Sequence, residues 1–409
     1  MNPLKKAYCR AFQTVFKLAL PLLPYRKPKR LESVNELPAL FIKKNIDSVM
    51  LVTDASIRSN NITSNLENLL IKAGITCIVY DKTVANPTTD NVEEARQLYL
   101  DNGCKALIGF GGGSSIDCAK AVGARIVKPN QPLSKMKGIL KVRKKLPLLV
   151  AIPTTAGTGS ETTLAAVIVD SETRHKYPIN DFPLIPHYAV LDPEVTKTLP
   201  PSLTATTGMD ALTHAVEAYI GRSTTHGTRK DSIRAVQLIF KYLERAYKDG
   251  NDITARKKML YAAYLAGSAF TKSYVGYVHA VAHSLGGRYN TPHGLANAVL
   301  LPHVLKAYGP AVHKKLANLA ICIDIADENT PEEDASNAFI EAICNMQKVL
   351  NIPEYIDGIV EDDIPKLARY AEKEANPLYP VPVLMTAREL RQFYIDVMKP
   401  ENQCERKKL

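Results

Sequence analysis

Strand signals fill the first half of the chain and stop at about residue 200, and few folds accommodate that order. Ser48-Val49-Met50-Leu51-Val52-Thr53 is a short apolar run that reads as a buried strand. A helical stretch follows to about Ala73, Gly74 ends it, and residues 75–80 read as the next strand. Thr88-Thr89-Asp90 offer N-caps, with Glu93 and Glu94 in the first turn where the helix dipole favours acids. Asn102-Gly103 closes that helix, and Ala106-Leu107-Ile108 is a third strand. Residues 148–152, 166–169 and 189–191 are further strand candidates. Such alternation builds a parallel sheet with helices on its faces, and ligands of such sheets bind at the carboxyl ends of the strands. From about Ser202 only long helical stretches remain. A chain of 409 residues is too long for one ordinary core. We therefore expect an N-terminal extension over 1–30, an α/β domain over 31–200 and an all-helical domain over 201–409.

Three features sit where the strands end. Gly109-Phe110-Gly111-Gly112-Gly113-Ser114-Ser115-Ile116-Asp117 follows a strand and precedes a helix. Glycines let a backbone approach a phosphate, and the helix N-terminus supplies N–H donors, so this turn reads as a pyrophosphate loop. It is not the G-x-G-x-x-G fingerprint, because Ser114 stands where the third glycine would be. Pro153-Thr154-Thr155-Ala156-Gly157-Thr158-Gly159-Ser160-Glu161 follows the 148–152 strand and suits either a polar ligand or plain solvation. Asp54 follows the first strand. A carboxylate there can bond a ribose diol and repel a 2′-phosphate, favouring NAD over NADP, or it can simply cap a helix.

The second half carries a different chemistry. Asp210 and His214 are four apart in a helix-forming stretch, so they share one face and can grip one cation. Of nine histidines, four fall in residues 279–303: His279, His283, His293 and His303. His279 and His283 are again one turn apart among small apolar residues, so both rings are expected to be buried and to need partners. Two one-turn pairs plus His293-Gly294 point to a metal cluster, although spacing alone does not choose which three histidines ligate. One carboxylate and three neutral imidazoles leave a divalent ion positively charged, and such ligands suit Fe²⁺, Zn²⁺, Co²⁺ or Mn²⁺.

Composition excludes some functions. The formal charge of +11 invites a nucleic-acid reading, but Lys5, Lys6, Arg10, Lys17, Arg26, Lys27, Lys29 and Arg30 supply +8 of it within 30 residues that hold no acid. The remainder is near neutral and shows no basic cluster for phosphates. Arg406-Lys407-Lys408 is a small basic tail. The seven cysteines are scattered without a C-x-x-C pair, which suits a reducing cytoplasm and argues against a thiolate metal site. No apolar run approaches the roughly 18–20 residues that span a bilayer. In the extension, Leu4, Ala7, Tyr8, Ala11, Phe12, Val15, Phe16 and Leu18 recur at helical spacing until Pro21 and Pro24. We expect this helix to pack on the body of the protein or on a second subunit. The alternative is a basic amphipathic helix on an anionic membrane. Lys17 interrupts the apolar stretch, so it is not read as a secretory signal.

With these residues in place, the sequence resembles the iron-containing, or group III, alcohol dehydrogenases. The likeness rests on GGGSSIDCAK (111–120), IPTTAGTGSE (152–161), GMDALTHAVEAY (208–219) and HAVAHSLGGRYNTPHGLANAVLLPHV (279–304), and spans roughly residues 40–400. It implies a Rossmann-like dinucleotide-binding domain followed by an all-helical metal-binding domain, the dehydroquinate synthase-like fold, with the active site in the cleft between them. It also implies that Asp210, His214, His279 and His293 hold the metal, Fe²⁺ or alternatively Zn²⁺, and that His283 is a nearby non-ligand proton carrier. Gly112, Gly113, Ser114 and Ser115 then resemble the pyrophosphate loop; Asp54, Asn86, Thr154, Thr155, Thr158 and Lys176 resemble cofactor contacts. The implied activity is hydride transfer between NAD(H) and a primary alcohol or diol or its aldehyde, by a cytoplasmic homodimer or larger homo-oligomer. A glycerol-type polyol dehydrogenase is the near alternative. A dehydroquinate-synthase-like lyase is disfavoured because its Glu, His, His set differs, and the filled ligand positions disfavour a metal-free maleylacetate reductase or a non-catalytic binding protein. Two departures stand out: the basic helix of 1–30 is additional, and residues 31–40 lack a glycine the family commonly carries before the first cofactor strand.

Overall fold

The computed structural model describes residues 1–400, so Cys404 and the Arg406-Lys407-Lys408 tail lie outside the described residues. The chain forms two compact units. One comprises Pro24–Leu199 with Gly250–Gly267, the other Met1–Leu23, Pro200–Asp249 and Ser268–Leu409.

The first unit is built on a parallel sheet of six strands: β1 (Lys29–Leu31), β2 (Ser48–Val52), β3 (Thr76–Tyr80), β4 (Ala106–Gly111), β6 (Leu148–Pro153) and β9 (Tyr188–Val190). Their order is β1-β9-β6-β4-β2-β3. Alternate residues of the central strands point to opposite faces, and both faces are covered. Met50, Val52, Leu107 and Leu149 enter one apolar cluster with Cys118, Ala119 and Val122 of the Gly113–Val127 helix. Val49, Leu51, Ile108, Phe110, Val150 and Ile152 enter the other, with Leu37, Phe41, Leu66 and Leu70. Burial on both sides is why these strands read as unbroken apolar runs, each buried aliphatic side chain contributing about 1.5–3 kcal/mol. The chain winds from β2 to β3 on one side and then returns to β4 on the other. The loops leaving β2 and β4 therefore diverge and open a crevice at their carboxyl ends.

The sheet reading needs one correction. Residues 165–169 do not join the parallel sheet. They form β7 (Ala165–Val169) in a separate three-stranded sheet, β5-β8-β7, with β5 (Gly138–Ile139) and β8 (Lys176–Asn180). β7 pairs antiparallel with β8. β8 escapes a sequence reading because Pro178 lacks the N–H a strand uses.

Residues 250–267, expected in the helical domain, cluster instead with the α/β unit. The Tyr264 hydroxyl donates to the Pro28 carbonyl at 2.8 Å, and Lys257 pairs with Glu32 at 2.8 Å. The decisive contact is backbone on backbone. Gly159 sits at φ +62°, and a Cβ built there would lie 2.7 Å from the Cα of Gly267, while a Cβ at Gly267 would lie 2.9 Å from the Cα of Gly159. Both positions need glycine. The small-residue stretch around Gly267 thus serves close packing against a loop.

The second unit is helical. Its helices include Pro201–Ile220, His226–Lys248, Tyr277–Tyr289, His293–Tyr308 and Glu332–Val349. Pro201–Ile220 is largely buried, and the carbonyls at its C-terminal end, on Tyr219, Ile220 and the following Gly221, accept from the Lys315 ammonium. The N-terminal helix, Pro3–Ala19, is capped by the Asn2 side chain and stops short of Pro21. It belongs to this unit rather than standing apart. Arg10 donates to the carbonyls of Val381 and Pro382, Gln13 to that of Tyr379, and Phe16 meets Tyr274 edge-on at 5.1 Å. Among the described residues no helix is long and apolar enough to cross a membrane.

Candidate metal centre and dinucleotide loops

The Pro201–Ile220 helix presents Asp210 and His214 one turn apart. The Tyr277–Tyr289 helix brings His279, and His293 opens the His293–Tyr308 helix. One ligating atom from each of these four residues lies within 4.8 Å of the others. Asp210, His214 and His279 are buried; His293 is partly exposed. His214 and His279 stack at 4.5 Å between centroids. Burial, followed by the like charges of His214, His293 and His283, holds His279 well below the usual imidazole range. A neutral imidazole is the form that ligates a metal.

Residues around the cluster fix its geometry. Glu217 lies seven residues after Asp210 on the same stripe. Its carboxylate accepts from the backbone N–H groups of Gly276 and Val278, each at 2.9 Å, and lies 2.6 Å from His279 Nδ1. With Nδ1–H donating to Glu217, His279 turns an unprotonated Nε2 toward Asp210. Burial pushes the Glu217 carboxyl up to about 7, against the pull of its N–H donors. Asn297, one turn after His293, donates from Nδ2 to Asp210 Oδ1 at 2.7 Å and lies 3.2 Å from His279 Nε2 and 3.1 Å from His293 Nε2. Its Oδ1 is buried without a hydrogen-bond partner among the described residues. A carboxylate and three imidazoles converging at such separations fit a divalent cation of the first transition row.

His283 departs from the expectation of burial: its side chain is 43% exposed. Its neighbours Glu374 and His293 are themselves partly exposed, so this face of the helix opens to solvent. His283 Nδ1 lies 2.6 Å from Glu374 Oε1, which also accepts from the Tyr379 hydroxyl at 2.7 Å. Burial alone would raise the Glu374 carboxyl, but His283, Tyr379 and His293 bring it below its ordinary value.

In the α/β unit the remaining predicted residues gather at the β2–β4 crevice. Gly112 caps the Gly113–Val127 helix without a side-chain bond, leaving its first N–H groups unclaimed by any capping side chain. A Cβ on Gly112 would meet Thr155 at 3.7 Å, and one on Gly113 would meet Thr158 at 3.1 Å. The Thr154 N–H donates to the Gly111 carbonyl. Asn86, at φ +57°, donates its N–H to Ser114 Oγ at 3.2 Å, and Lys176 donates to Asn86 Oδ1 at 2.6 Å. Asp54 does cap a helix, accepting from Ser56 and Ile57 through Oδ1, while its Oδ2 accepts from Ser115 at 3.4 Å. One carboxylate thus serves the cap and faces the glycine loop.

The comparisons with known proteins follow the same division. Residues 30–193 match the profile described as iron-containing alcohol dehydrogenase, and residues 204–398 match that of the C-terminal part of the Fe-containing alcohol dehydrogenase family. The chain is 39% identical over 342 residues to alcohol dehydrogenase 4 of Schizosaccharomyces pombe, covering 81% of this chain and 79% of that protein. The chain belongs to the iron-containing alcohol dehydrogenase family. It is also 36% identical to a 1,3-propanediol dehydrogenase of Citrobacter freundii, covering 88% of this chain and 94% of that one. A solved 1,3-propanediol oxidoreductase superimposes with a TM-score of 0.88 at 33% identity, over 91% of this chain and 99% of that one. The fold is that of the iron-containing alcohol dehydrogenases, and the chain is an alcohol dehydrogenase of that family.

Sequence reasoning missed several residues that hold these sites. Glu217 and Asn297 were within reach, since each lies one turn from a residue of the cluster on the same helix. Glu374 was not, because nothing local links it to His283. Lys120, fully buried, donates to Ser160 Oγ at 3.0 Å, Thr163 Oγ1 at 2.8 Å and the Ala165 carbonyl at 2.7 Å, and Asp117 accepts from Ser160 at 2.6 Å. These bonds tie the helix after the glycine loop to the threonine loop. Burial lowers the Lys120 ammonium to about 8.

Proposed function

We propose that this chain transfers a hydride between NAD(H) and a short primary alcohol or diol, or the corresponding aldehyde. Asp210, His214, His279 and His293 hold a divalent metal, Fe²⁺ first and Zn²⁺ as the alternative. The observation that carries this reading is the convergence of one carboxylate and three imidazoles, all but His293 buried, with the Glu217 carboxylate 2.6 Å from Nδ1 of His279. When bound, the metal supplies Lewis acidity that eases ionisation of an alcohol, and the nicotinamide accepts the hydride.

The chain's own residues do the rest. Gly112, Gly113, Ser114 and Ser115 receive the pyrophosphate at a helix N-terminus. Asn86, Thr154, Thr155, Thr158 and Lys176 line that loop, and Asp54 selects NAD by repelling a 2′-phosphate. His283, half exposed and bonded to Glu374, exchanges the alcohol's proton with water. The diol preference draws on the 1,3-propanediol relatives. Six described cysteines are free, which supports a reducing cytoplasm, and we propose a homodimer or larger homo-oligomer there.

The test is anaerobic. The metal is stripped, Fe²⁺ or Zn²⁺ is restored one at a time, and NADH absorbance is followed with a panel of short alcohols, diols and aldehydes. Metal-dependent NADH turnover with a short alcohol or diol is expected. A protein that keeps one tightly bound metal per chain yet turns over no NADH with any of them overturns the assignment.

A further inference from the structure

The chain beyond residue 30 is near neutral overall, yet it holds one basic run, Lys141-Val142-Arg143-Lys144-Lys145, so the expectation of no basic cluster there needs correcting. In the α/β unit this run is the loop between β5 and β6, and it borders a cavity of about 610 Å³. Arg143 and Lys145 line that cavity together with Arg26, from the segment before β1, and His187, which immediately precedes β9. The cavity therefore sits at the amino ends of β1, β6 and β9, which run parallel, whereas the glycine and threonine loops leave the carboxyl ends of β4 and β6. β6 is six residues long, so about 20 Å of strand separates the cavity from the dinucleotide crevice.

The polar part of the wall is positive. Asp181 is its one acid, and it is committed to the loop: Oδ2 accepts from the N–H groups of Val142 and Arg143 at 2.8 and 2.9 Å. In that loop Leu140 and Arg143 stand at φ +56° and +55°, where bulky residues are rare, so a costly backbone places Arg143 on the wall. Arg26 directs its hydrogen bonds to neutral groups, the Pro186 carbonyl at 2.6 Å and the Ile185 carbonyl, and Arg143 Nε donates to the Leu140 carbonyl at 2.6 Å. Neither guanidinium nor the Lys145 ammonium is ion-paired among the described residues. Three cations against one carboxylate leave two positive charges uncompensated. His187 adds a neutral donor. The Leu149 N–H donates to its Nδ1 at 3.1 Å, which leaves the ring proton on Nε2. Burial, followed by the charges of Arg26, Lys145 and Lys44, holds this imidazole down to about 4, so it is uncharged at neutral pH.

The rest of the wall is apolar, from Pro24, Leu140, Phe182 and Pro183. A bare anion would occupy a small part of such a space, and cavities of several hundred Å³ are the size that takes a small organic molecule. We propose that this cavity binds a small phosphate monoester. Near neutral pH its phosphate is a dianion, which matches the two uncompensated charges, and Arg26, Arg143 and Lys145 receive it. Its organic part lies against Phe182 and Pro183. The site is separate from the dinucleotide crevice and does not depend on the hydride-transfer reading.

Calorimetric titration of the full-length, metal-loaded protein with phenyl phosphate tests this, in saturating NAD so that the dinucleotide crevice is filled. One molecule per chain is expected to bind, with inorganic phosphate and benzoate each weaker by about tenfold or more. Arg143→Gln combined with Lys145→Glu changes two exposed residues remote from the metal cluster and the glycine loop in sequence. It should weaken phenyl phosphate by about tenfold or more and leave alcohol turnover unchanged. Lys348→Glu makes the same charge change as Lys145→Glu at an exposed position of the helical unit, and binding should not respond to it. Four outcomes overturn the proposal. Phenyl phosphate at about 10 mM does not bind; inorganic phosphate or benzoate binds as tightly as phenyl phosphate; the double variant binds like the wild type; or Lys348→Glu weakens binding as much as the double variant does.

Discussion

The two units build their sites from different materials. The helical unit's candidate site uses side chains: four donor groups from three helices, with Glu217 behind one imidazole and Asn297 against the converging atoms. The α/β unit uses mainly backbone: a glycine turn, a helix N-terminus and a threonine loop that touches it. A side-chain site is set by spacing along helices and is destroyed by truncating one residue. A backbone site is set by the order of strands and is damaged chiefly by adding atoms. Substitutions should therefore separate cleanly into those that change metal content and those that change nucleotide affinity.

The largest effect is expected from His293→Ala. Metal per chain, read by elemental analysis, should fall toward zero, and turnover should drop at least about a thousandfold. Full metal and activity in this variant would break the comparison at its strongest point. His283→Ala should cost about a hundredfold in kcat with metal content still near one per chain. Loss of the metal would make His283 a ligand. Glu217→Gln keeps shape and removes charge, and it should weaken metal affinity by about 10–100-fold in a chelator competition. On the other side, Gly113→Ala presses a methyl onto Thr158 and should weaken NAD binding about tenfold, measured by NADH fluorescence, with metal unchanged. The smallest effect belongs to Asp54→Gly. Glycine replaces an N-cap at a cost of a few tenths of a kcal/mol, so the fold should hold while NADP use relative to NAD rises by about five- to tenfold. An unchanged ratio would leave Asp54 as a cap alone.

Much of this was legible because it depends on short-range regularities. β2, β4 and β6 announce themselves since burial on both faces leaves no room for polar residues. Asp210 and His214 share a face because four residues make a turn. The glycine loop declares itself by standing between a strand and a helix. What escaped depends on long-range packing. β8 carries Pro178 and pairs with a neighbour only once the second sheet exists. Glu374 meets His283 across 91 positions of sequence. The exposure of His283 follows from partly open neighbours, Glu374 and His293, brought there by other helices, which no local apolar pattern reports. The N-terminal helix is a further case: its periodicity was plain, but which stripe the protein would cover was not, and Leu4, Val15 and Leu18 stay exposed.

The contact between Gly159 and Gly267 limits what a random library of this chain could yield. These positions are 108 residues apart in sequence, yet each occupies the space a methyl group on the other would need. Compensation between mutating neighbours works by exchanging volume, a larger residue here for a smaller one there. Here neither partner has any volume to give up. A library saturated at both sites and selected for a folded threonine loop should return one pair, Gly with Gly, where a side-chain contact of the same closeness would return many.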